Sequence, residues 1–241
     1  MIRIVLVALV LAVYAIVVWP PLVLYAAITG SIEPLFWAGR AGTSWAVRAA
    51  GIRIRVEGLE NIPPGTCLFA ANHASNADPP SIVAAIPRRV AILAKKSLFS
   101  IPVVGMSFKR AHFVPVNRAD PRDAMASVDL ATKHIKEGTS YLIYPEGTRS
   151  PNGRLLPFKR GAFVLAIRAG VPVVPVACSG AHRIMPKGSW RVHPGEMVVR
   201  FCPPVDAADY TEDQRGELAA RVHDAIAAAL PEDQQPLARV S

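Results

Sequence analysis

The sequence predicts an α/β fold with a mixed, largely parallel sheet flanked by helices, preceded by an N-terminal membrane-binding helical segment. Two observations carry this prediction. Strand patterns alternate with helical ones after residue 50, and an uncharged apolar run occupies residues 4–28. A chain of 241 residues can hold one sizeable core and an appendage. We therefore predict membrane-associated helices in residues 1–50 and an α/β domain in residues 51–241.

The apolar run at residues 4–28 is long enough for a transmembrane helix, which needs about 20 residues. Pro20 and Pro21 are expected to divide it, because proline removes a backbone donor and disfavours helix in the preceding residue. Four interpretations stay open: a kinked spanning helix, a re-entrant or interfacial hairpin, a cleaved signal peptide and a buried core helix.

From residue 31 onward, the periodicity of the sequence indicates further helices and strands. Residues 31–50 combine tryptophans with arginines, which is typical of an amphipathic helix at a membrane surface. The predicted strands are 52–58, 67–71, 90–94, 113–116, 141–144, 171–176 and 197–201. The predicted helices are 101–109, 121–136, 161–169 and 212–229. The last dozen residues are expected to be disordered.

The formal net charge of +9 is concentrated in the middle of the chain. Residues 79–160 hold 14 Lys and Arg against 5 Asp and Glu, whereas residues 201–241 hold 3 against 8. A basic region can attract anionic lipid, an anionic substrate or nucleic acid. We expect no nucleic-acid partner, because the sequence has no motif for one and its aromatic residues do not interleave with the basic ones.

The cysteine usage favours a reducing, cytoplasmic location for the α/β domain. Cys67, Cys178 and Cys202 are far apart and form no CxxC pair, so they predict neither a disulfide framework nor a zinc site. Cys67 and Cys178 lie in apolar runs and are expected to be buried thiols. We expect no metal and no cofactor, since the sequence also has no glycine-rich nucleotide loop.

A histidine and an aspartate follow the second predicted strand. His73 should lie at the carboxyl edge of the sheet, where sites of α/β proteins form. Asp78 comes five residues later, before two prolines. An imidazole takes a proton near neutral pH, and an adjacent carboxylate orients it and stabilises the imidazolium. The pair therefore predicts a general base with its orienting group. A helix-capping aspartate beside a loop histidine would give the same pattern.

A second polar turn, 144–150, follows the strand at 141–144. Arg149 is suited to bidentate phosphate binding, and Gly147 permits a close approach of ligand to backbone. The alternative is a polar turn with a surface arginine. Further cations that could add positive potential are Lys95, Lys96, Lys159 and Arg160.

Four segments occur in the order and spacing of four known motif blocks. They are Asn72-His73-x-Ser75-x-x-Asp78, Arg118 after an apolar strand, Pro145-Glu146-Gly147-Thr148-Arg149-Ser150, and Val173-Val174-Pro175-Val176. Through these residues the chain resembles the glycerophospholipid acyltransferases, and is most similar to the bacterial 1-acyl-sn-glycerol-3-phosphate acyltransferases. The resemblance covers roughly residues 50–205.

The resemblance implies an enzyme of phospholipid biosynthesis that moves a fatty acyl group from acyl-CoA or acyl carrier protein. The acceptor would be the sn-2 hydroxyl of lysophosphatidic acid, and the product phosphatidic acid. His73 would be the general base and Asp78 its orienter. The substrate-binding residues would be Arg118, Glu146, Gly147, Thr148 and Arg149, with Lys159 added for its charge. Pro175 would line the acyl-donor or structural side. The expected location is the inner (cytoplasmic) membrane, with membrane phospholipids as neighbours and the active site facing the cytoplasm.

The second block departs from the pattern of many members. Ala111 and His112 precede its strand where a glycine is usual, and Asn117 replaces an aspartate before Arg118. His112 is interpreted as a loop residue rather than a second base. The acceptor therefore stays open between lysophosphatidic acid, another lysolipid and glycerol 3-phosphate. A non-catalytic membrane lipid-binding protein is the alternative outside the enzymes.

Overall fold

The computed structural model describes residues 2–116, 121–189 and 191–237, without the side chains of residues 2–4, 102–104 and 121–124. In this part of the chain, strands alternate with helices after residue 50. The strands are β1 (Ile52–Glu57), β2 (Leu68–Ala71), β3 (Val90–Lys95), β4 (Val114–Val116), β5 (Ser140–Ile143), β6 (Val173–Ser179) and β7 (Gly195–Phe201). The helices are α1 (Ile2–Val13), α2 (Trp19–Thr29), α3 (Glu33–Ala49), α4 (Asp78–Ala85), α5 (Pro102–Arg110), α6 (Pro121–Lys136), α7 (Val164–Ala169), α8 (Ala181–Ile184) and α9 (Arg215–Ala229).

These strands form one sheet in the order β1-β7-β6-β2-β5-β3-β4. Every neighbouring pair is parallel except β6 and β7, which are antiparallel. The predicted mixed, largely parallel sheet flanked by helices is thus confirmed. The strands β2, β3, β5 and β6 run in one direction, so their carboxyl ends share one edge of the sheet. We call this the carboxyl edge.

Both faces of the sheet are covered, which explains why the central strands are continuously apolar. On one face, α9 buries Leu218, Val222 and Ile226, whose spacing of four residues places them on one side of the helix. On the other face, α4 buries Ile82 against Phe69 of β2. The centre of the sheet is therefore rigid, and its carboxyl edge is a fixed platform for side chains.

The predicted boundaries differ from the structure at the ends of some strands and at the first turns of some helices. The predicted strand 171–176 begins at Val173 and continues to Ser179. The predicted helix 161–169 starts as a 3₁₀ turn, Arg160–Phe163, before α7, and the helix predicted at 212–229 likewise starts with the 3₁₀ turn Glu212–Gln214. Pro175 lies inside β6, buried and paired with Ala70, so its place in this structure is in the sheet.

The N-terminal apolar run is helical throughout, so the expected division at Pro20 and Pro21 is wrong. The π-helical turn Tyr14–Val18 joins α1 to α2, and the prolines occupy the first turn of α2. A π turn shifts the hydrogen bonds by one residue, and the first turn of a helix tolerates proline because its amides need no helical acceptor. Among the described residues, one helix, Val5–Thr29, is long and apolar enough to cross a membrane. Its most apolar stretch is not buried, which contradicts the core-helix interpretation.

The N-terminal helices contact both each other and the α/β domain. The ring of Tyr14 lies against Gly42 of α3, where an added Cβ would meet a ring carbon at 2.8 Å. Trp45 contacts the same ring edge-on at 6.1 Å. Trp19 Nε1 donates a hydrogen bond to Ser107 Oγ of α5 over 3.2 Å. The division of the chain near residue 50 stays a prediction.

The expected disorder of the last dozen residues is wrong for residues 230–237; residues 238–241 lie outside the described part. The side chain of Gln234 is 3% exposed, and its carbonyl accepts a hydrogen bond from the amide of Leu155 over 2.9 Å. Asp233 forms an ion pair with Arg183 over 2.7 Å. These partners are distant in sequence, so composition near a terminus does not reveal them.

Candidate active site

The structure brings His73 and Asp78 into contact at the carboxyl edge. His73 follows β2, Asp78 begins α4, and His73 Nδ1 lies 2.9 Å from Asp78 Oδ2. The same oxygen accepts the amides of Ala74 over 2.7 Å and Ser75 over 2.8 Å. An ionised carboxylate only accepts, so this network assigns the proton to Nδ1 and leaves a lone pair on Nε2. The aspartate side chain is 1% exposed and the imidazole 16% exposed, so the imidazole is the accessible member of the pair.

The end of β2 is joined to the end of β6 beside this pair. Asn72 Oδ1 accepts the amide of Cys178 over 2.7 Å, and Asn72 Nδ2 donates to the carbonyl of Cys178 over 2.9 Å. Cys178 Sγ donates to Asp78 Oδ1 over 3.6 Å. Burial, with the nearby Asp78 charge, raises the pKa of the Cys178 thiol well above its ordinary value, so the thiol keeps its proton and acts as a donor. The prediction of buried thiols at Cys67 and Cys178 is confirmed.

Ser75 fixes the turn between His73 and Asp78. Its hydroxyl donates to the carbonyl of Met185 over 2.8 Å and accepts the amide of Ala77 over 3.0 Å. The side chain is fully buried. This serine is therefore placed to hold the turn rather than to meet a substrate.

The buried side chain of Glu146 contacts the backbone of His73. Its side chain is 4% exposed, and Oε1 accepts the amide of His73 over 2.7 Å. Burial raises the pKa of Glu146 to about 8, the Asp78 charge acts in the same direction, and the amides of His73 and Leu156 oppose it. This contact positions the base. The predicted contact of Glu146 with a substrate stays a prediction.

The turn that follows β5 holds His73 from two further directions. The ring of Tyr144 packs on the imidazole with centroids 4.3 Å apart and planes 30° apart. The amide of Ser150 donates to the carbonyl of His73 over 2.7 Å. The Tyr144 hydroxyl is buried without a hydrogen-bond partner among the described residues, and burial raises its pKa well above the ordinary value. Sequence reasoning missed this ring, although it stands directly after an apolar strand.

Gly147 makes room for Lys159. Its φ of +73° lies in the left-handed region, which favours glycine, and an added Cβ would lie 2.7 Å from Lys159 Cε. The amide of Lys159 donates to the carbonyl of Pro145 over 2.8 Å. The lysine side chain therefore lies across the glycine, beside the turn that carries Thr148 and Arg149.

Lys187, which sequence reasoning missed, joins this turn. It follows α8, and its Nζ donates to the carbonyl of Arg149 over 2.7 Å and to Thr148 Oγ1 over 3.3 Å. The one feature of the sequence that could have pointed to Lys187 is its positive charge directly after Pro186. Thr148 is exposed and Arg149 partly exposed, so the turn opens to solvent with three cations, Arg149, Lys159 and Lys187, on or beside it.

The other predicted cations lie elsewhere. Lys95 and Lys96 end β3 and begin the next turn, exposed at the same carboxyl edge. Arg160 begins the 3₁₀ turn before α7. Arg118 lies outside the described residues.

An apolar cavity of about 900 Å³ lies between the N-terminal helices and the domain. Pro79 and Pro80, directly after Asp78, contribute to its wall. The opposite wall comes from the N-terminal helices and includes Tyr14 and Leu35. Arg40 also lines the cavity, and it donates to the carbonyl of Ala84 over 2.7 Å. The cavity is suited to a long apolar ligand, because such sites are concave and mostly apolar.

His112, His134 and Glu137 form a separate cluster, with ligand atoms within 4.8 Å of one another, although the sequence predicts no metal site. The two imidazoles stack with planes 15° apart. Their Nδ1 atoms contact Thr139 Oγ1 at 2.7 Å and the Tyr141 hydroxyl at 2.8 Å. Parallel rings direct their remaining lone pairs side by side rather than at one point, so we assign no metal site here. His112 lies in a turn before β4, as interpreted from sequence, on the edge opposite His73.

The site combines a partly accessible imidazole, a turn that carries or adjoins three cations, and an apolar cavity that begins beside Asp78. The acyltransferase family model matches residues 53–179, more than half of the chain. The chain therefore belongs to the acyltransferase family.

Several known proteins are similar to it. A 1-acyl-sn-glycerol-3-phosphate acyltransferase of Limnanthes douglasii is 35% identical over 188 residues, which cover 78% of this chain and 66% of the plant protein. The Haemophilus influenzae protein of the same name is 32% identical over 173 residues, 71% of each chain. The crystal structure of the 1-acyl-sn-glycerophosphate (LPA) acyltransferase PlsC from Thermotoga maritima superimposes with a TM-score of 0.80 and 26% identity. That match covers 95% of this chain and 94% of the other. The chain thus spans just under two thirds of the first plant relative and nearly all of the solved structure.

Proposed function

We propose that the protein is a membrane-bound enzyme that transfers a fatty acyl group from a thioester to the sn-2 hydroxyl of 1-acyl-sn-glycerol 3-phosphate. The donor is acyl-CoA or acyl carrier protein, and the product is phosphatidic acid. The observation that carries the proposal is the 2.9 Å contact of His73 with the buried Asp78. The names of the similar proteins support the choice of acceptor.

In the proposed reaction, His73 acts directly on the acceptor. Nε2 removes the proton of the hydroxyl while its oxygen attacks the thioester carbonyl. The charge of Asp78 stabilises the imidazolium that forms. When the intermediate collapses, the carbon–sulfur bond breaks, and the imidazolium returns the proton to the thiolate. No protein nucleophile is required, in agreement with the buried, hydrogen-bonded hydroxyl of Ser75.

The phosphate of the acceptor is proposed to bind at the turn that carries Arg149. A guanidinium can hold two phosphate oxygens at once, and nearby ammonium groups add attraction without fixed geometry. Lys159 and Lys187 provide such groups beside the turn. Two hydrogen bonds tie the turn to the backbone of His73: the Glu146 side chain accepts the amide of His73, and the amide of Ser150 donates to its carbonyl. The proposed phosphate site and the proposed base therefore have a fixed separation.

The acyl chains are proposed to use the apolar cavity and the membrane. The cavity wall begins at Pro79, one residue after Asp78, so a chain seated there has its reactive end near the base. The unburied apolar helix Val5–Thr29 is proposed to hold the enzyme in the inner membrane. The free buried thiols support a cytoplasmic position for the active site.

The proposal is tested by replacing the base. Purified His73→Ala is expected to lose acyl transfer from labelled acyl-CoA to 1-acyl-sn-glycerol 3-phosphate, while it stays folded and bound to membranes. His223→Gln, a histidine of α9, is the matched control and should keep wild-type activity. Retention of near wild-type transfer by His73→Ala would refute the mechanism.

A second experiment decides the acceptor. The enzyme is given a mixed pool of lysolipids and glycerol 3-phosphate with one acyl donor, and the products are identified by mass spectrometry. Phosphatidic acid as the main product supports the proposal. A different main product would move the enzyme to another acceptor, and no product at all would favour a non-catalytic lipid-binding protein.

A further inference from the structure

The segment between β3 and the end of α5 exposes large apolar side chains. Leu98 is 39% exposed, Ile101 46% and Met106 41%. Single apolar residues at a surface need no explanation. Here three large apolar side chains are exposed within nine positions of one segment, and clustered exposed apolar residues are typical of interaction sites. We call Leu98, Ile101 and Met106 the 98–106 patch.

Cations flank this patch on both sides. Residues 95–110 contain four basic residues and no acidic one. Lys95, Lys96 and Lys109 are exposed. Apolar side chains bordered by lysines complement the boundary between the acyl chains and phosphates of an anionic leaflet, because cations near such a surface are attracted to it.

The helix that carries Met106 of the patch contacts the N-terminal apolar helix. Trp19 Nε1 donates to Ser107 Oγ in α5, and Trp19 and Phe108 line the same cavity. The carboxyl end of β3, where the segment starts, shares its edge of the sheet with His73. The start of the segment therefore lies at the same edge of the sheet as His73.

We propose that the 98–106 patch is a second membrane contact, which enters the headgroup region of an anionic leaflet. It rests on the proposed membrane attachment through the N-terminal helix, and it deepens that proposal. The helix keeps the protein at the bilayer, and the patch sets the orientation of the α/β domain. The carboxyl edge is thereby held against the lipid that supplies the acceptor.

The test uses the full-length protein with one labelled position. Ile101→Cys is labelled with the environment-sensitive dye nitrobenzoxadiazole, because the native thiols are 0–5% exposed and do not compete. The matched control is Leu59→Cys, which is also 46% exposed. Leu59 follows β1, which runs antiparallel to β6, so it lies on the opposite edge of the sheet. The vesicles are phosphatidylcholine with phosphatidylglycerol, with or without bromine on the acyl chains.

Cosedimentation with the vesicles is measured first, because it tests membrane attachment itself. Once the protein is bound, the dye at position 101 should shift its emission to the blue and lose most of it to brominated lipid. The dye at position 59 should do neither. If the protein sediments but the dye at 101 behaves like that at 59, the second contact is refuted while attachment stands. If the protein does not sediment, both proposals fail. Protection of the dye by acyl carrier protein instead of vesicles would assign the patch to a protein partner and refute the proposal.

The lysines are tested by their charge. Lys109→Gln should reduce the difference in dye response at position 101 between phosphatidylglycerol-containing and pure phosphatidylcholine vesicles. Lys133→Gln, an exposed lysine of α6, should leave that difference unchanged. Equal behaviour of the two variants would overturn the electrostatic part of the proposal.

Discussion

Asp78→Asn separates the charge of the orienting group from its hydrogen bonds. The asparagine oxygen can take the position of Oδ2 and accept the amides of Ala74 and Ser75 together with His73 Nδ1. The asparagine amino group then takes the position of Oδ1 and faces Cys178 Sγ, which is a weak hydrogen-bond acceptor. The turn should therefore keep its geometry. What is lost is the negative charge that we propose stabilises the imidazolium.

The size of the effect follows from the separation of the two charges. The contacting atoms are 2.9 Å apart, and two unit charges about 4 Å apart attract by about 4 kcal/mol at an effective dielectric constant of about 20. Each 1.36 kcal/mol is a factor of ten in rate, so kcat should fall about a thousandfold, with KM nearly unchanged. The assay is the initial rate of phosphatidic acid formation at saturating acceptor.

Asp78→Ala is the comparison variant, because it also leaves two buried amides without an acceptor. Each costs about 1–3 kcal/mol, so this variant should unfold at a clearly lower temperature than Asp78→Asn. If Asp78→Asn keeps its fold and works within tenfold of wild type, the charge of Asp78 is not used in the reaction. The proposed mechanism would then lose its orienting group.

Three other substitutions test the parts around the base. Lys187→Gln should raise the acceptor KM about fivefold, because about 1 kcal/mol of attraction to the phosphate is lost. Arg191→Gln removes an exposed cation further along the chain and should leave KM unchanged. Equal effects of the two variants would show that Lys187 does not contribute to acceptor binding. Gly147→Ala should lower the unfolding temperature by about 2–8 °C, because a non-glycine residue in the left-handed region costs about 1–2 kcal/mol. The added Cβ should also displace Lys159 and so raise the acceptor KM. An unchanged KM would contradict the proposed role of Lys159. Glu146 has its pKa raised to about 8 from 4.5, so the folded protein binds the extra proton and its stability should fall as the pH rises from about 5 to 8. Glu146→Gln should remove this component from unfolding temperatures measured against pH, and an unaltered slope would show that another group causes it.

The sequence predicts the sheet well because each of its strands has its own local signal, either a short apolar run or an alternation of apolar and polar residues. The runs of β2 and β5 are buried on both faces, and their patterns state this directly. The helical path through Pro20 is not predictable in the same way, since it depends on hydrogen bonds shifted by one residue upstream. The order of residues in a segment indicates whether it forms a strand or a helix, whereas the backbone path of an irregular turn depends on the residues that pack around it.

In the site, too, contacts between residues close in sequence are predictable, whereas contacts between distant residues are not. His73 and Asp78 lie five residues apart, so a single turn can join them and the pattern predicts the contact. The contact of Cys178 with Asp78 bridges 100 positions, and no local pattern contains it. Lys187 likewise reaches the turn from 38 positions beyond Arg149. Contacts of this kind follow only from the fold, because the sheet brings distant strand ends to one edge.

The backbone of His73 is held on both sides by the turn that carries Arg149, through Glu146 on its amide and Ser150 on its carbonyl. The proposed phosphate-binding turn and the proposed base therefore cannot evolve independently. An insertion or a register shift in the turn would misalign His73, whereas the exposed side chain of Thr148 and the partly exposed side chain of Arg149 can change without touching these two bonds. Variation in headgroup preference should consequently arise by single side-chain replacement on a turn of constant length, and attempts to redesign acceptor choice have their best starting points there.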